Sequence, residues 1–145
     1  MYLPKHFAED DLPTLHALVR AHPLGTWVTT GADGPQSIDA DHVPFMVDSN
    51  LGPLGTLRAH VARANPVWRS MVDASASPSL VIFQGADAYI SPSWYPSKHA
   101  DGKAVPTWNY AVVHARGPAR LLPPGDLPAL LDRLTRTYED GRTSP

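Results

Sequence analysis

Proline recurs along the whole of this sequence and limits what the chain can fold into. The 145 residues include 16 prolines and 10 glycines. A proline inside a helix or a central strand removes a backbone hydrogen-bond donor and kinks or ends the element. We therefore expect many short elements joined by turns, and we exclude a bundle of long helices.

Length and charge narrow the class of protein further. A chain of 145 residues suits a single domain over residues 1–145, and 43% hydrophobic residues are enough for a buried core. The net charge of −2 provides no broad basic field, so we do not expect direct nucleic-acid binding. The absence of cysteine excludes disulfides, thiolate catalysis and cysteine-based metal sites.

The sequence also carries no pattern that predicts contact with a membrane. Residues 1–7 lack the basic and apolar regions of a signal peptide. No apolar run approaches the ~18 residues of a membrane span. We expect a soluble, cytoplasmic protein.

Hydrophobic periodicity predicts helices near both ends of the chain and strands between them. One helix is expected from about residue 10 to residue 21, with Asp10 or Asp11 as its N-cap, and another begins at Asp126. A short helix over residues 66–74 has Asn65 as its expected N-cap. A turn is expected at residues 31–35 and a polar loop at residues 97–103. The expected strands cover residues 26–30, 37–47, 54–61, 80–83, 88–91 and 105–122. The second of them is expected to break near Pro44, and the last to bend at Gly117-Pro118.

These elements predict a mainly β fold, a small β-barrel with peripheral helices. Asp39, Asp41 and His42 could suggest a metal site on the second strand. Neighbouring strand residues point to opposite faces, however, so Asp41 and His42 cannot easily converge, and we favour polar strand residues over a metal site. The sequence contains no nucleophile elbow, P-loop or G-x-G-x-x-G motif, and thus no self-sufficient catalytic set.

Two segments are richer in functional residue types than a scaffold needs. Residues 58–69 hold three arginines and His60 where a strand meets a helix N-terminus. This arrangement suits a bound phosphate, although solvated surface charges explain it as well. Residues 91–98 and 105–110 hold two tryptophans and two tyrosines beside prolines. They could line a pocket for a planar ligand, or belong to the core or a dimer interface.

Five segments of the chain occur together, in this order, in one known family. They are Met1–Phe7, His42–Phe45, Ala59–Trp68, Ala88–Tyr95 and Val105–Tyr110. The chain resembles the PaiB-type FMN-binding negative transcriptional regulators over nearly its whole length. The resemblance implies a split β-barrel like that of the pyridoxamine-phosphate oxidases, in a homodimer that holds FMN at the subunit interface.

The resemblance also implies which residues contact the cofactor. The strand beside the isoalloxazine ring matches residues 42–47, and the phosphate would lie at the strand end and turn around Arg63. Trp108 and Asn109 would lie near the flavin or across the dimer interface. The expected cofactor-binding residues are His42, Val43, Pro44, Phe45, His60, Val61, Arg63, Asn65, Trp68, Trp108 and Asn109.

The sequence departs from the family's pattern in its C-terminal part. Family members usually continue into a C-terminal section with a Lys-Leu-Ser-Gln-Asn-like motif, and the sequence ends at Pro145 without it. If that section closes the site, FMN affinity depends on it.

We expect a dimeric regulator that does not read DNA directly, because no helix-turn-helix with a basic recognition helix is visible. The alternatives are an FMN-dependent oxidoreductase acting on a small molecule, and a dimeric binding module without flavin.

Overall fold

The computed structural model describes residues 1–30, 37–71 and 77–140, so the turn expected at residues 31–35 lies outside the described residues. The described residues form three α-helices: α1 (Leu12–Ala21), α2 (Pro96–Asp101) and α3 (Leu127–Glu139). The strands are β1 (Leu24–Thr30), β2 (Ile38–Pro44), β3 (Met46–Asp48), β4 (Thr56–Arg58), β5 (Ser77–Ile90) and β6 (Thr107–Ala119). Short 3₁₀ helices cover Lys5–Phe7, Pro66–Met71, Pro92–Trp94 and Pro124–Asp126.

All strand pairs are antiparallel. Strands β2, β1, β5 and β6 form a four-stranded sheet in that order, and β3 pairs with β4 in a second sheet. The mainly β class with peripheral helices is therefore confirmed. In the described part of the chain, no helix is long and apolar enough to cross a membrane.

The hydrophobic core lies against one face of the four-stranded sheet. Alternate residues of β1 are buried, with Trp27 between Gly25 and Thr29. The ring of Phe45 packs edge-on against Phe83 at 5.7 Å and against Trp27 at 6.1 Å. Val19 of α1 joins the same buried cluster, so one face of α1 covers the core.

The opposite face of this sheet, which we call the outer face, carries a different set of side chains. The strand register aligns His42, Thr26, Ile82 and His114 in one row across the four strands. Because paired residues share a face, this row points away from Trp27 and Phe83. The outer face also exposes Leu24 and Ile38.

Strand β5 joins two segments that the sequence predicted as separate strands. The pairing of β5 with β6 shifts register between Gln84 and Asp87, which is a bulge. Beyond it, residues 87–90 of β5 and 107–110 of β6 continue as a two-stranded ribbon, since β1 pairs with β5 only at residues 79–82. We call this ribbon the arm. The glycine at position 85 therefore marks a bulge rather than a turn between strands.

Several expected boundaries are confirmed, and others are wrong. Asp11 caps α1 by accepting hydrogen bonds from the Thr14 backbone N–H and hydroxyl. The break near Pro44 is confirmed, because β2 ends there and β3 begins at Met46. Asp126 makes no side-chain cap bond, since its backbone is already helical at the end of the preceding 3₁₀ turn.

Strand β6 continues through Gly117-Pro118, where the sequence predicts a bend, and Pro118 pairs with Pro78 of β5. A further expectation is wrong. Residues 97–103 were expected as a loop, but α2 occupies most of them. It starts at Pro96, a residue whose fixed φ suits the first helical turn, and it ends at Gly102 with φ 72°.

Candidate functional site

The segment between β4 and the 3₁₀ helix Pro66–Met71 presents an oriented arginine. The guanidinium carbon of Arg63 lies 4.3 Å from the centre of the Trp68 ring. The Trp68 indole N–H donates to the Arg63 backbone carbonyl at 3.1 Å, which fixes ring and backbone together. Ala59 and Val61 pack against the core, and His60 between them is exposed.

The stacked guanidinium of Arg63 keeps its hydrogen-bonding edge available. Among the described residues, no hydrogen bond or ion pair is formed by the Arg63 side chain. Stacking uses the flat face of a guanidinium and leaves its N–H donors, which lie in the plane, for other partners. Arg69 adds a second guanidinium 5.7 Å from the same ring. The arrangement suits an oxyanion, which arginine binds in bidentate fashion.

Asn65 links this segment to β2. Its side-chain oxygen accepts a hydrogen bond from the Val67 N–H at 2.8 Å, so the N-cap expected at Asn65 is confirmed. Its amide N–H donates to Asp41 Oδ1 at 2.7 Å. The helix itself is a six-residue 3₁₀ helix ending at Met71, and the expected residues 72–74 lie outside the described part. Such a short element contributes little helix dipole, so the guanidinium of Arg63 supplies the positive charge here.

A cleft of about 350 Å³ opens beside Asn65. Asp39 and Asp41 bring two carboxylates to it, and Thr29 is 5% exposed at its base. These carboxylates repel an anion, so this cleft does not suit a phosphate. The signal in the sequence for this pair of carboxylates is the spacing of Asp39 and Asp41, because residues two positions apart in a strand point to the same face. The lining residues are Thr29, Thr30, Asp39, Ala40, Asp41, Asn65, Pro66 and Val67.

The four expected flavin-contacting residues of β2 and its end divide between two faces. His42 is exposed on the outer face, paired with Thr26, while Asp41 pairs with Trp27 on the core side. The expectation that Asp41 and His42 point apart is thus confirmed. Val43 and Phe45 are buried core residues, and the Phe45 N–H donates to the Pro23 carbonyl at 2.8 Å. Pro44 between them is half-buried.

Trp108 and Asn109 lie on the arm. Trp108 is 59% exposed and packs edge-on against Tyr89 at 6.0 Å. Asn109 pairs with Ala88 and points to the opposite face of the arm. Within residues 1–30, 37–71 and 77–140, no ring contact or hydrogen bond joins either residue to Arg63 or Asn65. The structure therefore brings Arg63, Trp68 and Asn65 together and leaves the arm residues apart from them.

Arg58, the first of the three arginines in residues 58–69, does not join Arg63. It lies in β4, and its side chain reaches Asp48 of β3 instead. His114 was outside the expected site, yet it lies in the same outer-face row as His42. Burial, with a smaller effect from Arg116, lowers the pKa of His114. In the described part of the chain, no three His, Asp or Glu side chains are grouped to hold a metal.

Comparison with known proteins identifies the family. A model of the family described as "Putative FMN-binding domain" matches residues 1–145. The chain belongs to this FMN-binding family. A Bacillus subtilis protein named "Protease synthase and sporulation protein PAI 2" is 34% identical over 145 residues, covering 100% of the chain and 65% of that protein. The resemblance to PaiB-type proteins is thereby confirmed, and so is FMN as the cofactor.

Eukaryotic relatives show a similar degree of identity. The Saccharomyces cerevisiae protein YKL070W, named as uncharacterized, is 35% identical over 84% of this chain and 79% of its own length. An uncharacterized protein of Aspergillus fumigatus is 34% identical over 81% of this chain and 55% of its own length. The chain thus spans less than two thirds of the Bacillus and Aspergillus proteins.

The residues of this FMN-binding domain fit the phosphate end of the cofactor. Arg63 is held in place by Trp68, has unengaged N–H donors and lies near exposed His60 on the same segment. Charge-assisted bonds from arginine to phosphate are among the stronger hydrogen bonds in proteins. When bound, FMN supplies a redox-active isoalloxazine ring.

Proposed function

We propose that this chain is a PaiB-like regulatory protein that binds FMN as a homodimer and does not read DNA directly. Arg63 and His60 hold the cofactor phosphate, and Asn65 keeps their segment against β2 through Asp41. The observation that carries the proposal is the Arg63 guanidinium, which is stacked on Trp68 at 4.3 Å with its donors unengaged.

The remaining expected residues have defined roles in this proposal. His42 and Pro44 are accessible at the edge strand β2, where the isoalloxazine ring would lie. Val43 and Phe45 set the position of that strand through the core. Val61 anchors the phosphate segment to the core in the same way.

The outer face and the arm support a homodimer of split-barrel type. Tyr89, Trp108 and Tyr110 share one face of the arm, and this face continues into the outer face of the sheet. Trp108 and Tyr110 are 59% and 58% exposed. Aromatic side chains that are solvated in one chain and concentrated on one face are typical of protein interfaces. A second copy would cover them, with Trp108 and Asn109 at the interface as the family resemblance implies.

Similarity to the Bacillus relative supports a regulatory role. The Bacillus relative is named for protease synthesis and sporulation. In this chain α1 is followed by β1 rather than by a second helix, so that segment is not a helix-turn-helix. Regulation would therefore act through a partner or through the flavin.

The phosphate contact is tested by replacing Arg63 with alanine. Loss of one charge-assisted bond weakens binding by ~1.5–3 kcal/mol, which is roughly 10- to 150-fold in the dissociation constant. FMN affinity is measured by titration of flavin fluorescence. Arg136→Ala is the matched control, because Arg136 is an exposed arginine of α3 paired with Asp132. Unchanged affinity in Arg63→Ala would remove Arg63 from the site.

The dimer and the DNA claim need separate measurements. Sedimentation velocity of the FMN-loaded protein gives the oligomeric state, and we expect Trp108→Ala to shift it toward monomer while Tyr138→Ala on α3 does not. A wild-type monomer at micromolar concentration would contradict the dimer.

Tight, sequence-selective binding of the pure protein in a gel-shift assay at physiological salt would contradict indirect regulation. Steady oxidation of NAD(P)H by the loaded protein would favour the oxidoreductase alternative.

A further inference from the structure

Three arginines from three separate elements meet at the start of the β3–β4 turn. Arg20 comes from α1, Arg58 from β4 and Arg133 from α3. They surround Asp48 and Ser49, which end β3 and begin the turn. We call this group the arginine cluster. Its members are far apart in the sequence, and the FMN-binding proposal uses none of them.

Positive charge exceeds negative charge in the arginine cluster. Arg58 Nε lies 3.8 Å and Arg133 Nη1 lies 3.6 Å from the same atom, Asp48 Oδ2. Arg20 donates to the neutral hydroxyl of Ser49. Two guanidiniums thus share the Asp48 carboxylate and the third is held at the neighbouring Ser49, so the three arginines and Asp48 together carry a formal excess of two positive charges.

The hydrogen-bond donors of the arginine cluster are not saturated. Both distances to Asp48 exceed the 2.7–3.2 Å of an N–H···O hydrogen bond, so these are ion pairs without such bonds. Arg58 Nε is buried and has no hydrogen-bond partner, although its side chain as a whole is 26% exposed. A buried donor without an acceptor destabilises a fold, and it commonly marks the position of a water or an ion.

We propose that the arginine cluster binds a small oxyanion of the phosphate class, at a position distinct from the flavin phosphate. Guanidiniums carried by three separate elements can donate to different oxygens of a tetrahedral oxyanion, and their excess charge matches a dianion. An oxygen of the anion accepts the unmet Arg58 Nε–H. Arg63, which we assign to FMN, packs on Trp68 and makes no contact with Arg20, Arg58 or Arg133 among the described contacts.

Binding here would join three parts of the molecule. The anion bridges α1, the β3–β4 hairpin and α3, which the arginine cluster otherwise connects only through Asp48 and Ser49. A ligand that binds only the folded state raises the melting temperature as its concentration rises. Phosphate is therefore expected to stabilise this protein more than chloride does at equal ionic strength.

The test is a calorimetric titration of inorganic phosphate into the FMN-saturated protein, with melting curves recorded in parallel. Excess FMN occupies any site that takes the flavin phosphate. We expect saturable phosphate binding that Arg133→Gln weakens about 10- to 100-fold. Arg136→Gln is the matched control one turn along the same helix, since Arg136 pairs with Asp132 at 3.1 Å, and its phosphate affinity should equal that of wild type. Arg133 is 50% exposed, so its replacement should leave the fold intact by circular dichroism.

Further variants separate this site from the flavin site. Arg58→Gln should weaken phosphate binding as Arg133→Gln does, while Arg63→Ala should weaken FMN binding and leave phosphate binding unchanged. Phosphate binding lost in Arg63→Ala and retained in Arg133→Gln would overturn the proposal. So would the absence of any phosphate response, which would mean that water alone fills the cluster.

Two further probes show whether the ligand is free phosphate or a phosphate group carried by a larger molecule. Adenosine monophosphate and adenosine are titrated in place of inorganic phosphate. Tighter binding of the monophosphate than of inorganic phosphate, with the same dependence on Arg133 and no binding of adenosine, identifies a nucleotide as the ligand class. Equal binding of the two phosphates identifies the free anion. Adenosine binding as tightly as the monophosphate would contradict recognition through the oxyanion.

Discussion

Gly25 lies where the core packs directly against the backbone of β1, and replacing it with alanine tests that packing. A methyl group at this position would stand 2.6 Å from Val81 Cγ1, 2.9 Å from Phe83 Cε1 and 3.0 Å from Phe45 Cδ2. Carbon atoms in ordinary contact are about 3.5–4.0 Å apart. Three side chains must therefore move, and Phe83 is 0% exposed with no solvent-facing space to enter.

The cost of Gly25→Ala follows from this overlap. Overpacking a well-filled core costs about 1–3 kcal/mol. Removing a glycine from the unfolded chain returns about 0.4–1 kcal/mol, so the net free energy of unfolding falls by roughly 0–2.6 kcal/mol. Because the added methyl group would stand only 2.6 Å from Val81 Cγ1, we expect a loss of stability in the upper half of that range. For a chain of this size, the melting temperature falls by roughly 2–4 °C per kcal/mol.

Gly117→Ala is the matched control for Gly25→Ala. Gly117 also lies in a strand, but nothing stands within 4 Å of an added methyl group. Chemical denaturation of both variants gives their free energies of unfolding, and we expect Gly117→Ala to match or exceed wild type. If Gly25→Ala is as stable as Gly117→Ala, the packing argument is refuted. In the double variant Gly25→Ala/Val81→Ala, removing Val81 Cγ1 should make the combined loss smaller than the sum of the two.

Two further predictions concern pH. Hydrogen bonds from the Thr14 hydroxyl and backbone N–H lower the pKa of Asp11, so its contribution to stability is complete above the unfolded pKa of about 3.9 and disappears as pH falls through the lowered folded value. Asp11→Asn keeps a cap acceptor that does not titrate, and acid melting curves should show a smaller loss of stability. Burial, with help from Arg116, lowers the pKa of His114, so stability should fall as pH drops from about 6.5 toward the folded value. His114→Gln should remove this step in thermal melts, and an unchanged pH profile would contradict the assignment.

Local signals in the sequence predicted most of the strands and two of the helices. Trp27 with its β-branched neighbours marked β1, and Asp11 with Pro13 marked the start of α1. Helix α2 was missed although its signals were present, since Pro96 begins it and Gly102 follows its last residue. Its polar composition favoured a loop, and only the pair of end signals could have corrected that reading.

The site depended on contacts that no local signal encodes. Asn65 and Asp41 are 24 positions apart, and only the folded chain brings their side chains to 2.7 Å. Arg58 and Arg63 are close in sequence, yet one reaches Asp48 and the other stacks on Trp68. A cluster of charges in the sequence therefore does not show which of its residues share one site.

The arm has a consequence for how chains of this protein associate. Its backbone edges are unpaired in the described sheets, and such edges can recruit strands from other chains. Pro92 follows the end of β5 closely and Pro106 directly precedes β6. Because proline cannot donate a ladder hydrogen bond, each of these positions offers a neighbouring strand one donor fewer at the end of the arm. Proline, which excludes a bundle of long helices in this sequence, thus also limits how far a strand of another chain could pair along the open edges of the arm.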